Sequence, residues 1–351
     1  MADLLAVKAL GQQIWLDQLS RSLIESGELA QKIEQGVCGV TSNPAIFYQA
    51  FKDDPRYLTE IEALQQTDLS PKARYETMAI ADVQAACDAF AEVFQSSERN
   101  VGWVSLEVAP ELAQDAAGTV AEGKRLWASI DRPNVLIKVP ATDAGIAALT
   151  ELVAAGVNVN LTLLFSLQQV HKAYEAYMQG LIERIGNGLP LDNVFVVASF
   201  FLSRIDANLD PTLPAALQGK VAVALAKEAF CQWQAFFEGP GFKALASRGA
   251  RVLPLLWAST GTKNKAYSDV MYVEEVMGAP TINTVPAATL EAFVHHGQGR
   301  LSLIENVATA KQVLADVAAL GIDLEGLAQR LQQEGLTGFE EAFAKLLALV
   351  E

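Results

Sequence analysis

The stretch Val157–Phe165 reads VNVNLTLLF and decides the fold of this 351-residue chain. Its odd-numbered positions are apolar through Leu163, whereas the even-numbered positions up to Thr162 carry two amides and a hydroxyl. Because successive side chains of a strand point to opposite faces, this alternation predicts a strand with one polar and one apolar face. In a closed barrel, one of these faces would line the lumen and the other would lie under the helices.

Further short apolar runs predict more strands, and longer stretches with helical periodicity separate them. The expected strands are Gln12–Asp17, Val37–Asn43, Val101–Ala109, Val135–Ala141, Val157–Phe165, Val194–Phe200, Val252–Thr260 and Thr281–Pro286. Strands that alternate with helices form a parallel sheet, and eight such units close a barrel. The sequence therefore predicts an α/β fold, a single (β/α)8 TIM barrel with additional helices. A doubly wound sheet is the structural alternative, which the lack of a GxGxxG turn disfavours.

The linkers contain no Pro/Ser-rich stretch or charge run, which favours one barrel domain over residues 1–351. The longest interval, between the second and third strands, predicts an extra helix. The tail Leu301–Glu351 predicts two or three helices, a C-terminal helical extension that packs on the barrel from about residue 301.

Composition narrows the class of partner. The formal net charge of −15 disfavours nucleic acids and anionic membrane surfaces, which both require a basic face. The three cysteines, Cys38, Cys87 and Cys231, lack CxxC spacing and predict neither a disulfide framework nor a zinc site. No signal peptide is expected at Met1–Gly11, and no apolar run is long enough to span a bilayer. We therefore expect a cytoplasmic protein without nucleic-acid or membrane partners.

A polar residue lies near the end of each predicted strand, at the face where such barrels assemble active sites. These residues are Asp17, Asn43, Glu107, Lys138, Asn160 with Thr162, Ser199, Ser259 and Thr284. Taken singly, the Asp, Asn and Ser residues are typical of caps, turns and cores. Glu107 and Lys138 interrupt apolar strands, where charged residues are rarely buried unless paired. They form either a structural ion pair or a catalytic pair, and we favour the second.

A lysine in an apolar barrel suggests an imine-forming nucleophile, because desolvation favours the neutral amine that attacks a carbonyl. Glu107 would relay protons through water during carbinolamine formation and dehydration. Asp17 would remove a hydroxyl proton during carbon–carbon cleavage. Asn43, Asn160 and Ser199 would orient the hydroxyls of a small polyol fragment.

Two loops indicate a phosphate site. Arg204 follows the sixth predicted strand, and the stretch STGTKN at residues 259–264 follows the seventh. Loops late in such barrels frequently bind phosphate, and arginine offers bidentate contacts to it. The second loop lacks the leading glycine of a Walker A motif, which disfavours a nucleotide. The residues alone therefore predict an imine-forming aldolase that acts on a sugar phosphate.

Seven stretches in this order resemble transaldolase, in its longer-chain bacterial branch. They are IWLD at 14–17, GVTSNP at 39–44, VSLEV at 104–108, IKVPAT at 137–142, NVNLTLLFS at 158–166, ASFFLSRI at 198–205 and WASTGTKN at 257–264. The resemblance implies transfer of a dihydroxyacetone unit between sugar phosphates in the cytoplasmic pentose phosphate pathway. It implies that Lys138 forms a Schiff base with the C2 ketone of fructose 6-phosphate or sedoheptulose 7-phosphate. No metal or organic cofactor is implied.

The resemblance also assigns roles to the other residues. Asp17 takes the C4 hydroxyl proton as the C3–C4 bond breaks, and Glu107 with Thr162 positions the water that carries protons. The dihydroxyacetone is held by Asn43, Asn160 and Ser199, and the phosphate is bound by Arg204 with Ser259. Short-chain members place an arginine soon after the serine of the seventh strand, whereas here the loop is longer and the nearest cation is Lys263. Lys263, a point charge rather than a planar fork, is therefore the remaining candidate for the phosphate.

Two other functions stay open at this point. A single-substrate aldolase would release free dihydroxyacetone from the same lysine. A non-catalytic barrel would only bind sugar phosphates, although Asp17, Glu107 and Lys138 are all present. We expect a monomer or a homodimer.

Overall fold

Eight parallel strands close a barrel in chain order, and the last strand pairs with the first. A computed structural model describes residues 2–351 of the chain. The strands are β1 Gln12–Leu16, β2 Val37–Val40, β3 Trp103–Glu107, β4 Val135–Pro140, β5 Val159–Leu164, β6 Val196–Phe201, β7 Leu255–Ala258 and β8 Thr281–Val285. The predicted (β/α)8 barrel with additional helices is confirmed, and the doubly wound alternative is wrong.

Helices surround this barrel. They are α1 Leu4–Ala9, α2 Arg21–Glu25, α3 Glu28–Glu34, α4 Pro44–Asp53, α5 Leu58–Gln65, α6 Pro71–Ala89, α7 Ala91–Ser96, α8 Ala116–Ile130, α9 Asp143–Ala155, α10 Leu167–Gly186, α11 Ser203–Leu209, α12 Val221–Phe237, α13 Pro240–Ala246, α14 Met271–Glu274, α15 Ala287–His296, α16 Val307–Ala319 and α17 Leu324–Val350. Short 3-10 turns occur at Pro55–Tyr57, Pro110–Leu112, Asp210–Thr212 and Ser302–Ile304.

Most of the predicted strands include residues that lie beyond the ends of the observed strands. Asn43, for example, lies beyond β2, where its side chain caps α4 by accepting a hydrogen bond from the Ile46 amide at 3.0 Å. Pro254 precedes β7 and lacks the N–H that a ladder requires. The interval between β2 and β3 holds α4, α5, α6 and α7 rather than one extra helix, because Pro44 and Pro71 each begin a new helix.

Strand register brings the candidate residues together. Glu107 of β3 is paired with Lys138 of β4, and Lys138 is paired with Asn160 of β5. Residues that pair across neighbouring strands share a face of the sheet, so these three side chains stand side by side on the lumen face. Further back on β3, the Trp103 ring stacks on Phe195 at 4.5 Å between centroids.

The C-terminal helix α17 lies across the carboxyl ends of the strands. It packs along α4 and α6 and reaches β5. The Gln332 amide donates to the carbonyl oxygens of Ala141 and Leu163, which follow β4 and lie within β5. The buried stripe of α17 includes Gly335, Phe339 and Phe343. The expected packing of the tail on the barrel thus has two parts, because α16 packs on α12 whereas α17 lies at the mouth of the lumen.

None of the helices within residues 2–351 is both long enough and apolar enough to cross a membrane.

The beginning of α9 lies so close to β4 that only glycine fits at position 145. A Cβ on Gly145 would overlap with the carbonyl oxygen of Pro140, a backbone atom of the strand that carries Lys138. We expect Gly145→Ala to lower the free energy of unfolding by about 2–3 kcal/mol, because the helix must move away from the strand. The measurement is urea unfolding of the variant and the parent chain.

The matched control is Gly186→Ala at the end of α10, where an added Cβ would meet no atom within 4 Å. This variant should be as stable as the parent or slightly more stable. Equal stabilities of the two variants would contradict the close approach of α9 to β4.

Candidate active site

Lys138 is buried beside a carboxyl group, a carbonyl and an aromatic ring. Its Nζ lies 3.6 Å from Oε2 of Glu107 and donates a hydrogen bond of 3.2 Å to the carbonyl oxygen of Ser42. The ring of Phe339, from α17, has its centroid 5.6 Å from the same Nζ. Only 5% of Lys138 and 8% of Glu107 is exposed. The amine is therefore held in one position and shielded from bulk water.

Glu107 is a buried carboxyl group whose charge is poorly compensated. Neither of its oxygens has a hydrogen-bond partner among residues 2–351, and the same is true of the buried hydroxyl of Thr162. Burial raises the pKa of Glu107 to about 7; the charge of Lys138 opposes this rise, and that of Asp17 adds to it. A carboxyl group that titrates near neutral pH is suited to both donate and accept protons.

Asp17 lies just past β1, half-buried, and is held by a hydroxyl relay. Thr41 donates to Oδ1 of Asp17 at 2.6 Å, and the hydroxyl of Thr284 lies 2.7 Å from that of Thr41. Since Thr41 has only one hydroxyl proton, Thr284 is the donor in that second bond. The relay joins the ends of β1, β2 and β8 and fixes the carboxylate at the mouth of the lumen.

Asn160 and Ser199 lie inside the lumen, and their polar groups are already aligned. Ser199 donates to Oδ1 of Asn160 at 2.6 Å, and Nδ2 of Asn160 donates to the hydroxyl of Ser105 at 3.0 Å. These hydrogen bonds determine which atom of the Asn160 side-chain amide accepts and which donates. Asn43 is half-buried, and its Oδ1 is used by the helix cap, so its Nδ2 is the group left to bind a ligand.

Arg204 stands in the first turn of α11, next to the loop that follows β7. Its guanidinium lies 5.5 Å from the Phe201 ring and forms no ion pair with a described residue, although Glu334 is near enough for its charge to act on Arg204. Burial lowers the pKa of Arg204, and the charge of Glu334 opposes this effect. A half-buried guanidinium that is not ion-paired is suited to bind an anion.

Ser259 connects the two loops beside Arg204. Its φ of 53° is in the left-handed region, which is uncommon for a residue other than glycine. Its hydroxyl lies 2.9 Å from that of Ser203, and its carbonyl oxygen accepts a hydrogen bond of 3.0 Å from the Ser203 amide. These contacts hold Ser259 against the start of α11, directly before Arg204.

Lys263 lies in a different environment. It is exposed and lines a cavity of about 360 Å³ beside α11, together with Asp206 and Asp210. Tyr272 and Tyr267 donate to these two carboxylates, each at 2.7 Å, and tie the loop to α11. Lys263 is therefore next to acidic side chains, whereas Arg204 forms no ion pair with a described residue.

Two residues that contact Lys138 were not expected from the sequence. Ser42 contributes a backbone carbonyl, which no side-chain pattern reports, although it stands next to Asn43 in the chain. Phe339 reaches Lys138 only because α17 crosses the mouth of the barrel. Its place in the apolar stripe of that helix indicated burial but not its neighbour.

The assembled groups can carry out nucleophilic chemistry. A buried primary amine, a carboxyl group with a pKa near 7 and a second carboxylate surround one lumen. Aligned amide and hydroxyl groups line the same lumen, and a free guanidinium lies at its rim. This set fits imine formation on a small polyhydroxylated carbonyl compound that carries an anionic group at its far end.

The sequence is similar to those of known proteins. Residues 14–350 match the family described as transaldolase/fructose-6-phosphate aldolase. A protein named transaldolase from Neisseria meningitidis serogroup C / serotype 2a is 58% identical over 348 residues, with 99% of each chain covered. The transaldolase of Thiobacillus denitrificans is 47% identical over 352 residues, covering 98% of each chain. Transaldolase 1 of Streptomyces coelicolor is 41% identical over 349 residues, with 97% of this chain and 92% of the relative covered.

Glu107 should make the stability of the protein depend on pH. Because its pKa in the folded state, about 7, exceeds the ordinary 4.5, the folded state binds more protons between these values. The free energy of unfolding therefore falls as pH rises through this window. Glutamine does not titrate, so the free energy of unfolding of Glu107→Gln should rise relative to that of the parent chain, by on the order of 1–3 kcal/mol between pH 4.5 and pH 8.

Urea unfolding at both pH values measures this difference. The control is Glu340→Gln at an exposed position of α17, which should follow the parent chain at both pH values. If Glu107→Gln also follows the parent chain, Glu107 does not titrate near neutral pH.

Proposed function

The chain belongs to the transaldolase/fructose-6-phosphate aldolase family, and we propose that it is a transaldolase that moves a dihydroxyacetone unit between sugar phosphates. The reaction converts sedoheptulose 7-phosphate and glyceraldehyde 3-phosphate into erythrose 4-phosphate and fructose 6-phosphate. The observation that carries the proposal is the buried amine of Lys138 at 3.6 Å from the carboxyl group of Glu107. Relatives named transaldolase, up to 58% identical over nearly the whole chain, support it.

The first chemical step joins Lys138 to the substrate. The amine attacks the C2 ketone and forms a carbinolamine, and loss of its hydroxyl as water leaves an iminium ion. Glu107, whose pKa is about 7, supplies the proton that the departing hydroxyl requires and recovers one when the imine is hydrolysed. In the proposal, a water held between Glu107 and Thr162 carries these protons, since both side chains have unpaired polar atoms in the described structure.

Carbon–carbon cleavage follows from the positive charge on the imine nitrogen. Asp17 takes the proton of the C4 hydroxyl, the C3–C4 bond breaks, and its electron pair moves toward the nitrogen as an enamine forms. The aldose phosphate leaves as an aldehyde. The enamine then attacks the aldehyde of the acceptor in the reverse sense, and hydrolysis of the new imine releases the product. Because the imine acts as the electron acceptor, the proposed chemistry requires no metal ion or organic cofactor.

Two separate groups of residues would bind the two ends of the substrate. Asn160 and Ser199, inside the lumen, would hold the hydroxyls of the three-carbon unit together with the Nδ2 of Asn43. Arg204 and Ser259 would hold the phosphate, because Arg204 is a half-buried cation that forms no ion pair with a described residue and Ser259 is held beside it. Lys263 would act from the rim, where it is exposed. We place the reaction in the cytoplasmic pentose phosphate pathway.

The family description includes a second candidate, fructose-6-phosphate aldolase, which releases free dihydroxyacetone. The two activities share the lysine and the cleavage step. They differ in whether the enamine persists until an acceptor aldehyde arrives. The names of the relatives favour transfer.

A transfer assay tests the proposal. With fructose 6-phosphate as donor, the chain should form glyceraldehyde 3-phosphate continuously only when erythrose 4-phosphate is added. Lys138→Ala should reduce this rate to background and leave the fold intact, since Glu107 can then bind a proton in place of its lost partner. Sustained turnover without an acceptor would favour the aldolase, and an active Lys138→Ala variant would exclude the lysine mechanism.

Lys227→Met provides the matched control. Lys227 is also 5% exposed, but it lies in α12 on the outside of the barrel and donates to the carbonyl oxygens of Ser302 and Glu305. Its replacement should preserve the transfer rate of correctly folded protein, as judged by circular dichroism.

A further inference from the structure

The helix α17 is fixed at a defined height above the barrel mouth. The side-chain amide of Gln332 donates to the carbonyl oxygens of Ala141 at 2.8 Å and Leu163 at 3.1 Å. Leu163 has a φ of 61°, in the left-handed region, and lies where the register of β5 with β6 shifts. The bond from Gln332 thus satisfies a carbonyl group that lies at the irregular end of β5.

Gly335 lies three residues further along α17, on the face that meets the barrel. A Cβ at this position would lie 2.8 Å from Cδ2 of Leu163 and 3.4 Å from Nη1 of Arg204. Helical propensity disfavours glycine inside a helix, so the local sequence gives no reason for this residue. The space that it leaves is occupied by the side chains of Leu163 and Arg204.

The Arg204 guanidinium has two close neighbours. The Phe201 ring lies 5.5 Å away, and an added Cβ at Gly335 of α17 would lie 3.4 Å from Nη1. Arg204 forms no ion pair with a described residue, although the charge of Glu334 acts on it. Its position consequently depends in part on the shape of these neighbours.

We propose that Gly335 determines the selectivity of the enzyme for phosphorylated sugars, because its missing side chain lets Arg204 take the position from which it binds the phosphate. The inference rests on the proposed function and adds a specificity-determining position that does not touch the reacting atoms. A methyl group at this position collides with Cδ2 of Leu163 and fills the space against Nη1 of Arg204, which it contacts at 3.4 Å. A bidentate contact depends on distance and angle, so a small displacement of the guanidinium weakens it.

Donor kinetics test the inference. Gly335→Ala should raise KM for fructose 6-phosphate about five- to tenfold and change kcat little, because the phosphate is remote from the reacting carbon. For fructose, which lacks the phosphate, kcat/KM should not change. The matched control is Gly338→Ala in the same helix, where an added Cβ meets no atom within 4 Å. This control should have the same KM and kcat as the parent chain with both donors. A purely structural role for Gly335 would instead lower the activity on both donors.

A binding measurement separates this inference from the proposed function. Inorganic phosphate should raise the unfolding temperature of the parent chain and of Gly338→Ala, and Gly335→Ala should require about five- to tenfold more phosphate for the same rise. If the parent chain shows no transfer but phosphate binding follows this order, the proposed function fails and the role of Gly335 stands. If the parent chain transfers and Gly335→Ala matches Gly338→Ala in both measurements, the role of Gly335 is excluded.

A double-mutant cycle keeps the test decisive. When Arg204→Ala is already present, Gly335→Ala should raise KM for fructose 6-phosphate no further, since it acts through Arg204. Additive effects would overturn the inference. Should Gly335→Ala fail to fold, Leu163→Ala/Gly335→Ala lacks the colliding Cδ2, avoids a β-branched residue at the positive φ of position 163 and retains the contact with Arg204. This double variant should show the same rise in KM relative to Leu163→Ala alone.

Discussion

The site depends on one constraint, which is that an amine and a carboxyl group are held together out of bulk water. Lys138 and Glu107 come from neighbouring strands in register, so the barrel itself sets their separation. Burial opposes the ionisation of Glu107 more strongly than Lys138 favours it, and the pKa of the carboxyl rises to about 7. A carboxyl group that can carry a proton near neutral pH therefore lies beside a buried primary amine, and imine formation requires these two kinds of group.

One helix links the two ends of the site. In α17, Phe339 contacts Lys138 and Gly335 leaves room for Arg204, while Gln332 attaches the helix to the ends of β4 and β5. The reacting end and the anion-binding end of a substrate would thus be set by a single rigid element. Rigid placement is important here because chemistry at the carbonyl depends on how the far end of the substrate is held.

Much of the fold could be predicted from local patterns. The alternation in Val157–Phe165 predicted the polar face of β5, and the pairing of Lys138 with Asn160 confirms it. The ends of strands were less predictable, because backbone bonds there depend on neighbours such as the cap at Asn43. The position of α17 could not be predicted, since an amphipathic stripe indicates that a face is buried but not against what. For this reason Phe339 was missed. The acidic surroundings of Lys263 were unexpected because they depend on how the loop after β7 packs against α11.

Borohydride reduction in the presence of fructose 6-phosphate, followed by intact mass and peptide mapping, tests the lysine mechanism most directly. Reduction should leave a dihydroxyacetone-derived adduct on Lys138 and on no other lysine, which would demonstrate the imine, the cleavage and the retained three-carbon unit together. Folded protein without an adduct on any lysine, or with the adduct on a lysine outside the barrel lumen, would contradict the assignment of Lys138 as the nucleophile.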